Sequence, residues 1–546
     1  MPFEHLASEG GSSWWHQLRK LRIGILDLVA KNPNPGLWAR VMNANFASIM
    51  PQAVAYWCEE EGHDVTLICY TGFEDLRAEL SHDLDILFIT AFTQSAQLSY
   101  ALSRMFQAKG TVTVLGGPHA RCYPEDAVKY FDYVTGFTDK TIIRDILQDC
   151  SQHRPVGQHL TAARQPNELP GVRERWKFID ATLKKAPFIK IVPMISSVGC
   201  PYTCSFCIDA AVPFQQLPFE GMKEDLRFLL TKYKRPRVGW HDPNFGVRFD
   251  DCMDAIEEVV PEDSIDFISE SSLSLLSEDH MKRMKRNGFK AVLPGIETWY
   301  ELGGKSKTGA NKGMEKVNRV ADQVNMIMRY IPYVQTNFVF GLDSDEGPDP
   351  FELTKRFLDK APGAFPAFSL LTSFGKAAHL NLEYQRAGRV LPFPFHFLNN
   401  NHAMNVRVKN YEWKTFYDHV IDLTSYACSR PMMMKRLRAN GLSIPGALNL
   451  IRSMSTEGAG RIKYYSKVRA QLEGDMGFRA YFEQQSSDLP SFYLDHMKRD
   501  LDSFWEWLPN EAVHHDPYAY LHGENGNGNG NSHTEPIAEK ITAVSK

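Results

Sequence analysis

The chain lacks the features that would place it in a membrane or on a nucleic acid. None of its 546 residues falls in a charge-free apolar run approaching 18 positions, so no spanning helix is expected. The opening MPFEHLASEGGSSWWHQLRK has no basic segment leading into an apolar run and a cleavage site, so no secretory leader is expected. Positive charge is not in excess: 61 Lys and Arg stand against 65 Asp and Glu, a formal charge of −4. That balance carries no bulk attraction to phosphate backbones, and a nucleic-acid partner is not expected. Cysteine is scarce and odd in number, nine in all. This excludes a small disulfide scaffold and suits a reducing cytoplasm.

What is present is a large soluble composition, 43% hydrophobic and 23% charged, long enough for two or three cores. After an N-terminal extension (1–20), residues 21–146 alternate apolar strands with amphipathic helices, as in LRIGILDLV, SIMPQAVAYWCEEEG, HDVTLICY, DILFITAF and TVTVLGG, with a shorter FDYVTGF. That rhythm predicts a parallel, Rossmann-like sheet covered on both faces, with ligands at the loops after the strands. A linker rich in Gln, Pro, Arg and Gly (147–185) leads to a second α/β region, 186–395. Its strands are expected at IVPMISS, RVGWHD, IDFISE, AVLPGIE, YVQTNFVFG and PAFSLLTSF. Six strand–helix repeats suit a partly open (β/α)6 barrel, although an open doubly wound sheet has the same periodicity. Residues 396–522 turn to long amphipathic segments and predict a helical domain, in which PMMMKRL and the Tyr411, Trp413, Tyr417 and His419 face read as packing. The Gly- and Asn-rich tail, 523–546, is too polar to bury and is expected to be disordered.

One loop concentrates the chemistry. SSVGCPYTCSFCIDA places Cys200, Cys204 and Cys207 within eight positions after a strand, broken by Gly199 and Pro201. Simple burial of three small apolar residues does not account for such a loop. A redox pair at Cys204 and Cys207 leaves Cys200 without a role. Structural zinc wants a fourth ligand, for which Asp209 is a poor match. Three thiolates with one position open fit a [4Fe–4S] cluster.

The C-x3-C-x2-C spacing, with the aromatic Phe206 before the last cysteine, resembles the signature of the radical S-adenosylmethionine (SAM) superfamily. The resemblance covers about 186–390 and implies that the open iron is chelated by SAM, which is cleaved to a 5′-deoxyadenosyl radical. It also implies cofactor contacts. Asp242 and Asn244 of WHDPNFG match the segment after the second barrel strand, and Ser269 and Glu270 end the third. Glu297 of VLPGIET matches a G-I-E-[ST] segment, and Gly341 of FVFGLDSD the fifth-strand segment, although Asp343 replaces a common proline. LLTSFGKAAHL resembles the sixth-strand segment without its usual prolines. His241 reads as either a base at the barrel mouth or a packed ring.

The first region, with GGPHA after TVTVLGG, is similar to the cobalamin-binding domain attached to one branch of that superfamily. Here GFTDK replaces an acidic-glycine turn, and no D-x-H-x-x-G motif is present, so His119 is not read as a cobalt ligand. The corrin contacts implied are Thr90, Phe92, Ser95, Gly116, Gly117, Pro118 and Gly136, with the segment around 43–50 facing the ring. The expected activity is methyl transfer to an unactivated carbon or phosphorus of a small-molecule substrate, driven by an external one-electron reductant such as flavodoxin or ferredoxin. The alternatives are cyclisation, ring contraction or rearrangement on the same architecture, and a non-catalytic corrinoid-binding protein.

Overall fold

The computed structural model describes residues 19–33, 35–150, 157–210 and 212–519. The expected tail and nearly all of the expected N-terminal extension lie outside these. Six parallel strands form the first sheet: β1 (Arg22–Leu28), β2 (Asp64–Tyr70), β3 (Ile86–Ala91), β4 (Val112–Gly116), β5 (Tyr133–Thr135) and β6 (Gln158–Leu160). Their order is β2-β1-β3-β4-β5-β6. The run IGILDL of β1 is buried throughout, as a strand covered on both faces must be. Helices Ile49–Glu60, Ala96–Gln107 and Lys140–Cys150 belong to this region. Strand order reverses between β1 and β3, which opens a crevice at their carboxyl ends. β6 falls inside the stretch expected as linker. Its three residues add an edge strand to β5, too short to leave a periodic signal.

The second region contains β7 (Val192–Met194), β8 (Ser197–Val198), β9 (Gln215–Gln216), β10 (Arg237–Trp240), β11 (Asp266–Ser269), β12 (Phe289–Val292), β13 (Gly295–Glu297), β14 (Tyr333–Phe340) and β15 (Phe365–Leu370). The parallel order runs β7-β10-β11-β12-β14-β15, and β13 continues the line of β12 along β14. Among the described residues β7 pairs only with β10 and β15 only with β14, so the barrel is partly open, as expected. AVLPGIE, expected as one strand, is two. Pro294 has no N–H to give the ladder, and it accepts instead from Asn337 N–H. Helices Phe219–Lys232, Phe249–Val259, Glu278–Arg286, Gly313–Met328 and Asp349–Lys360 alternate with the strands.

The last region is helical, with Trp413–Ala427, Arg430–Asn440, Ile444–Met454, Arg461–Gly474, Met476–Phe482 and Ser491–Leu501. Trp413, Phe416 and Tyr417 are buried, as their amphipathic spacing implies. The chain then returns to the first sheet. Arg77 donates to Ser503 O at 2.9 Å, and His515 meets Tyr123 edge-on at 5.7 Å. No helix among the described residues is long and apolar enough to cross a membrane.

Candidate active site

The cysteine loop begins where β7 ends. Gly199 has φ +69°, and a Cβ there would lie 2.3 Å from Pro213 O, so only glycine makes this turn. β8 and β9 close the loop as an antiparallel pair, and Cys200 N–H donates to Val212 O at 3.3 Å. Cys207 N–H returns to Cys204 O at 2.9 Å, folding the last two cysteines into one turn. Two bonds reach out of the loop: Ser205 O accepts from Leu380 N–H, and Tyr202 hydroxyl meets Ser274 Oγ at 2.5 Å. Phe206 packs against the core.

All three cysteines are free thiols. Burial raises the pKa of each, that of Cys207 to about 11, while the Lys305 ammonium pulls each one down. Lys305 is thus the one cation among the described residues that lowers the pKa of all three thiols. Its partner is Glu297 at 2.6 Å. Burial opposes the ammonium, but Glu297, Cys204 and Cys207 outweigh it and hold Lys305 well above the usual lysine range. Glu297 adopts φ +66°, a strained setting for a residue other than glycine. A Cβ on Gly295 would lie 2.0 Å from Glu297 Oε1. The glycine of G-I-E is thus what lets the glutamate fold back toward Lys305. Sequence reasoning missed Lys305; its signal was the glycine-rich basic stretch ELGGKSKTGANKG that follows Glu297.

The other barrel residues divide by environment. Asp242 is buried, and both oxygens are engaged, accepting from Ser196 N–H, Ser196 Oγ and Ser197 Oγ at 2.6 to 3.0 Å. It clamps the strand end that launches the cysteine loop. Asn244 Oδ1 accepts from Ser272 N–H at 2.8 Å, and its amide side chain also reaches the Cys200 sulfur and lowers that thiol's pKa. Ser269 Oγ is also buried and unpartnered. Glu270 is exposed, yet burial within the protein raises its pKa, with Glu297 adding to the effect. His241 is likewise exposed and surrounded, its pKa pushed down to about 4 by burial and then by Arg175. Gly341, at φ +98°, follows β14 and donates to Asp345 at 2.8 Å. Asp343, standing where the resembling segment commonly has proline, forms a two-pronged ion pair with Arg389, both contacts at 2.8 Å.

In the first sheet the residues expected to meet a corrin gather at one carboxyl edge. Thr90 of β3 pairs in register with Gly116 of β4. Phe92 follows β3 and is 44% exposed, and Phe46 is 50% exposed. Ser95 Oγ is buried without a partner. Gly117 has φ +90°, and a Cβ there would lie 2.9 Å from Thr90 Cγ2. Gly117 caps the short helix Pro118–Cys122, and Gly136 follows β5, a Cβ there lying 2.7 Å from Thr161 Oγ1. His119 points away into the core. Its Nε2 meets Tyr100 hydroxyl at 2.7 Å, and burial, with His515, pushes its pKa down to about 3.

The two edges meet. Arg121, on the helix capped by Gly117, donates to Ile208 O at 2.9 Å and to Asp209 at 3.3 Å, inside the cysteine loop. The same helix docks on the segment after β15: Tyr123 hydroxyl donates to Ser373 O at 3.1 Å, and a Cβ on Gly375 would strike Cys122 O.

No family model matches the chain. Over 378 residues it is 20% identical to bacteriochlorophyllide d C-12(1)-methyltransferase of Chlorobaculum tepidum, spanning 68% of this chain and 81% of that protein. It is 23% identical over 329 residues to bacteriochlorophyllide d C-8(2)-methyltransferase of the same organism, spanning 56% and 70%. Among solved structures, the cobalamin-dependent SAM radical enzyme OxsB, with aqua-cobalamin and SAM bound, superposes with a TM-score of 0.53. That match has 11% identity and spans 93% of this chain and 81% of OxsB. The chain has the fold of a cobalamin-dependent radical SAM enzyme.

The residues present fit the cofactors of that fold. Among the described residues no group of His, Cys, Asp and Glu closes on a single metal ion. A cubane takes one thiolate per iron, and Cys200, Cys204 and Cys207 are three free thiols on one loop, each under the charge of Lys305. The unpartnered Ser269 Oγ, with Asn244, Glu270 and Glu297, gives polar groups suited to the amino and carboxylate ends of SAM. The glycines, the exposed phenylalanines and the unpartnered Ser95 Oγ suit the broad, mostly apolar face of a corrin.

Proposed function

We propose that the chain is a cobalamin-dependent radical SAM enzyme that transfers a methyl group to an unactivated carbon or phosphorus of a small-molecule substrate. The observation that carries this reading is the Arg121 junction, which ties the glycine edge of the first sheet to the cysteine loop of the barrel. Bound there, the cluster supplies one electron to SAM and the corrinoid carries the methyl group, chemistry that belongs to the cofactors.

The chain's own residues do the rest. Cys200, Cys204 and Cys207 hold the cluster, and Lys305 offsets their negative charge. Glu297 and Glu270 receive the cationic amino end of SAM, and Asn244 and Ser269 supply hydrogen bonds. Asp242 is a positioning residue that holds the loop's launching strand through Ser196 and Ser197. Gly116 and Gly117 let the corrin approach the backbone. The helical region covers the barrel and keeps water from the reacting groups. The names of these two relatives describe methyl transfer to a bacteriochlorophyllide, which supports methyl transfer and leaves this chain's substrate open.

Anaerobic reconstitution should yield about four irons per chain. With SAM, cobalamin, substrate and flavodoxin or ferredoxin as reductant, turnover should produce S-adenosylhomocysteine together with 5′-deoxyadenosine. A Cys200, Cys204 and Cys207 triple alanine variant that kept its iron would overturn the cluster assignment. 5′-Deoxyadenosine without S-adenosylhomocysteine would replace methyl transfer by a rearrangement.

A further inference from the structure

β14 carries two different faces. Phe338 and Phe340 turn toward Trp299, Phe351 and Phe357 of the outer layer, so strand alternation puts Gln335 and Asn337 on the opposite face. There the C-terminal helical region closes over β14 and β15 and leaves a cavity of about 240 Å³. Three guanidiniums, Arg436, Arg452 and Arg461, line it against a single carboxylate, Glu457.

The three arginines are not equally satisfied. Arg452 donates to Glu457, Tyr333 hydroxyl and Gln335 Oε1, each at 2.6 Å, and stacks on Phe365 at 4.1 Å. Arg461 donates to Phe368 O at 2.7 Å. Arg436 is only 2% exposed, and its Nε has no partner. Its terminal nitrogens reach Ala427 O at 3.3 Å and Ser453 Oγ at 3.5 Å, and among the described residues no carboxylate pairs with it. A buried cation without a counter-charge is costly. A guanidinium with a spare N–H is shaped for the oxygens of a carboxylate or phosphate.

We propose that this cavity is an oxyanion subsite, in which Arg436 and Arg461 receive the carboxylate or phosphate group of the substrate. It rests on the reading that a small-molecule substrate lies in the barrel. Pockets for whole drug-sized ligands run to roughly 300–1,000 Å³, so this cavity takes an anionic end rather than a complete molecule. Asn337 precedes Gly341 by about 13 Å of strand. The anionic end would therefore lie one molecule's length below the carboxyl edge that holds the cofactors.

Calorimetric titration of the anaerobically reconstituted full chain tests this, with sodium phosphate in one arm and sodium acetate in the other, at constant ionic strength in chloride. One saturable site is expected for at least one of them, the tighter arm naming the group. Asn337→Asp places a carboxylate in the cavity with little change of volume and should weaken that binding by about tenfold or more. Arg436→Met should do the same while leaving the anion-free melting temperature equal or higher, because the unpaired buried charge is gone. Absence of saturable binding in both arms, or wild-type affinity in Asn337→Asp, would overturn the subsite. Iron content of the same samples reads the cluster separately. Normal iron without anion binding defeats only the subsite, and anion binding without iron defeats only the cluster.

Discussion

Two carboxyl edges of parallel sheets meet at the Arg121 junction, and they are built from opposite chemistry. The edge of the first sheet offers shape: Gly116, Gly117 and Gly136, with exposed Phe46 and Phe92 and no ion pair among them. The barrel edge offers charge: Lys305, Glu297 and Glu270 around three thiols. In the proposed function the corrin would sit on an edge of tightly turned glycines packed against Thr90, Thr135 and Thr161, whereas the cluster and SAM would be held by charged side chains. The two edges should therefore fail differently when altered.

Lys305→Met strikes the charged edge hardest. It strands the buried Glu297 carboxylate, at a cost of about 3 kcal/mol by chemical denaturation. Adding Glu297→Gln should recover part of that loss, and a strictly additive double variant would mean that the pair is not coupled. Gly117→Ala strikes the shape edge. With φ +90° and Thr90 Cγ2 at 2.9 Å from the new Cβ, it should cost about 1–3 kcal/mol and abolish cobalamin binding, read by absorbance after gel filtration, while leaving the iron content normal.

Acid separates the first sheet from its cover. His119 stays neutral in the fold down to about pH 3, whereas the unfolded chain takes up a proton near pH 6.5. The unfolded state binds more protons in that window, so stability falls as pH drops from 6.5 toward 3, by about 2 kcal/mol at pH 5 from this residue alone. His119→Gln should flatten that slope; an unchanged slope would exclude His119 as its source. The smallest effect is expected at Asp345, whose pKa burial raises to about 7 while it accepts from Gly341 and Leu342 N–H. Being partly protonated already, it should tolerate Asn at a cost of about 1 kcal/mol or less, with little change in cluster or cobalamin content.

Much of the architecture was legible along the chain because parallel α/β folds write their period locally. β1 through β5 and the strands around the barrel fall where apolar runs alternate with amphipathic helices. The exceptions were short or interrupted elements: β6, with three residues, the two-residue β8 and β9, the first of which splits off the end of IVPMISS, and the break at Pro294 that makes β12 and β13 two strands. The cysteine loop was legible because its three thiols lie within eight positions of the chain. The ion pair that supports it was not. Glu297 was recognisable in VLPGIET, but nothing in the linear order says that Lys305 folds back onto it and faces the thiols. Asp242 shows the converse case, a carboxylate whose sequence context suggests a cofactor contact and whose oxygens are taken by Ser196 and Ser197.

By itself the sequence determined the two parallel sheets, the helical cover, the place of the three thiols and the glycines that open the first sheet's edge, since each depends on neighbours a few residues away. Only the tertiary structure decided that Arg121 joins the two edges, that Lys305 sits among the cysteines and that Arg436 is buried without a counter-charge. These are contacts between residues far apart in the chain. Packing sets their distances, and burial sets their electrostatics, neither of which a local pattern encodes.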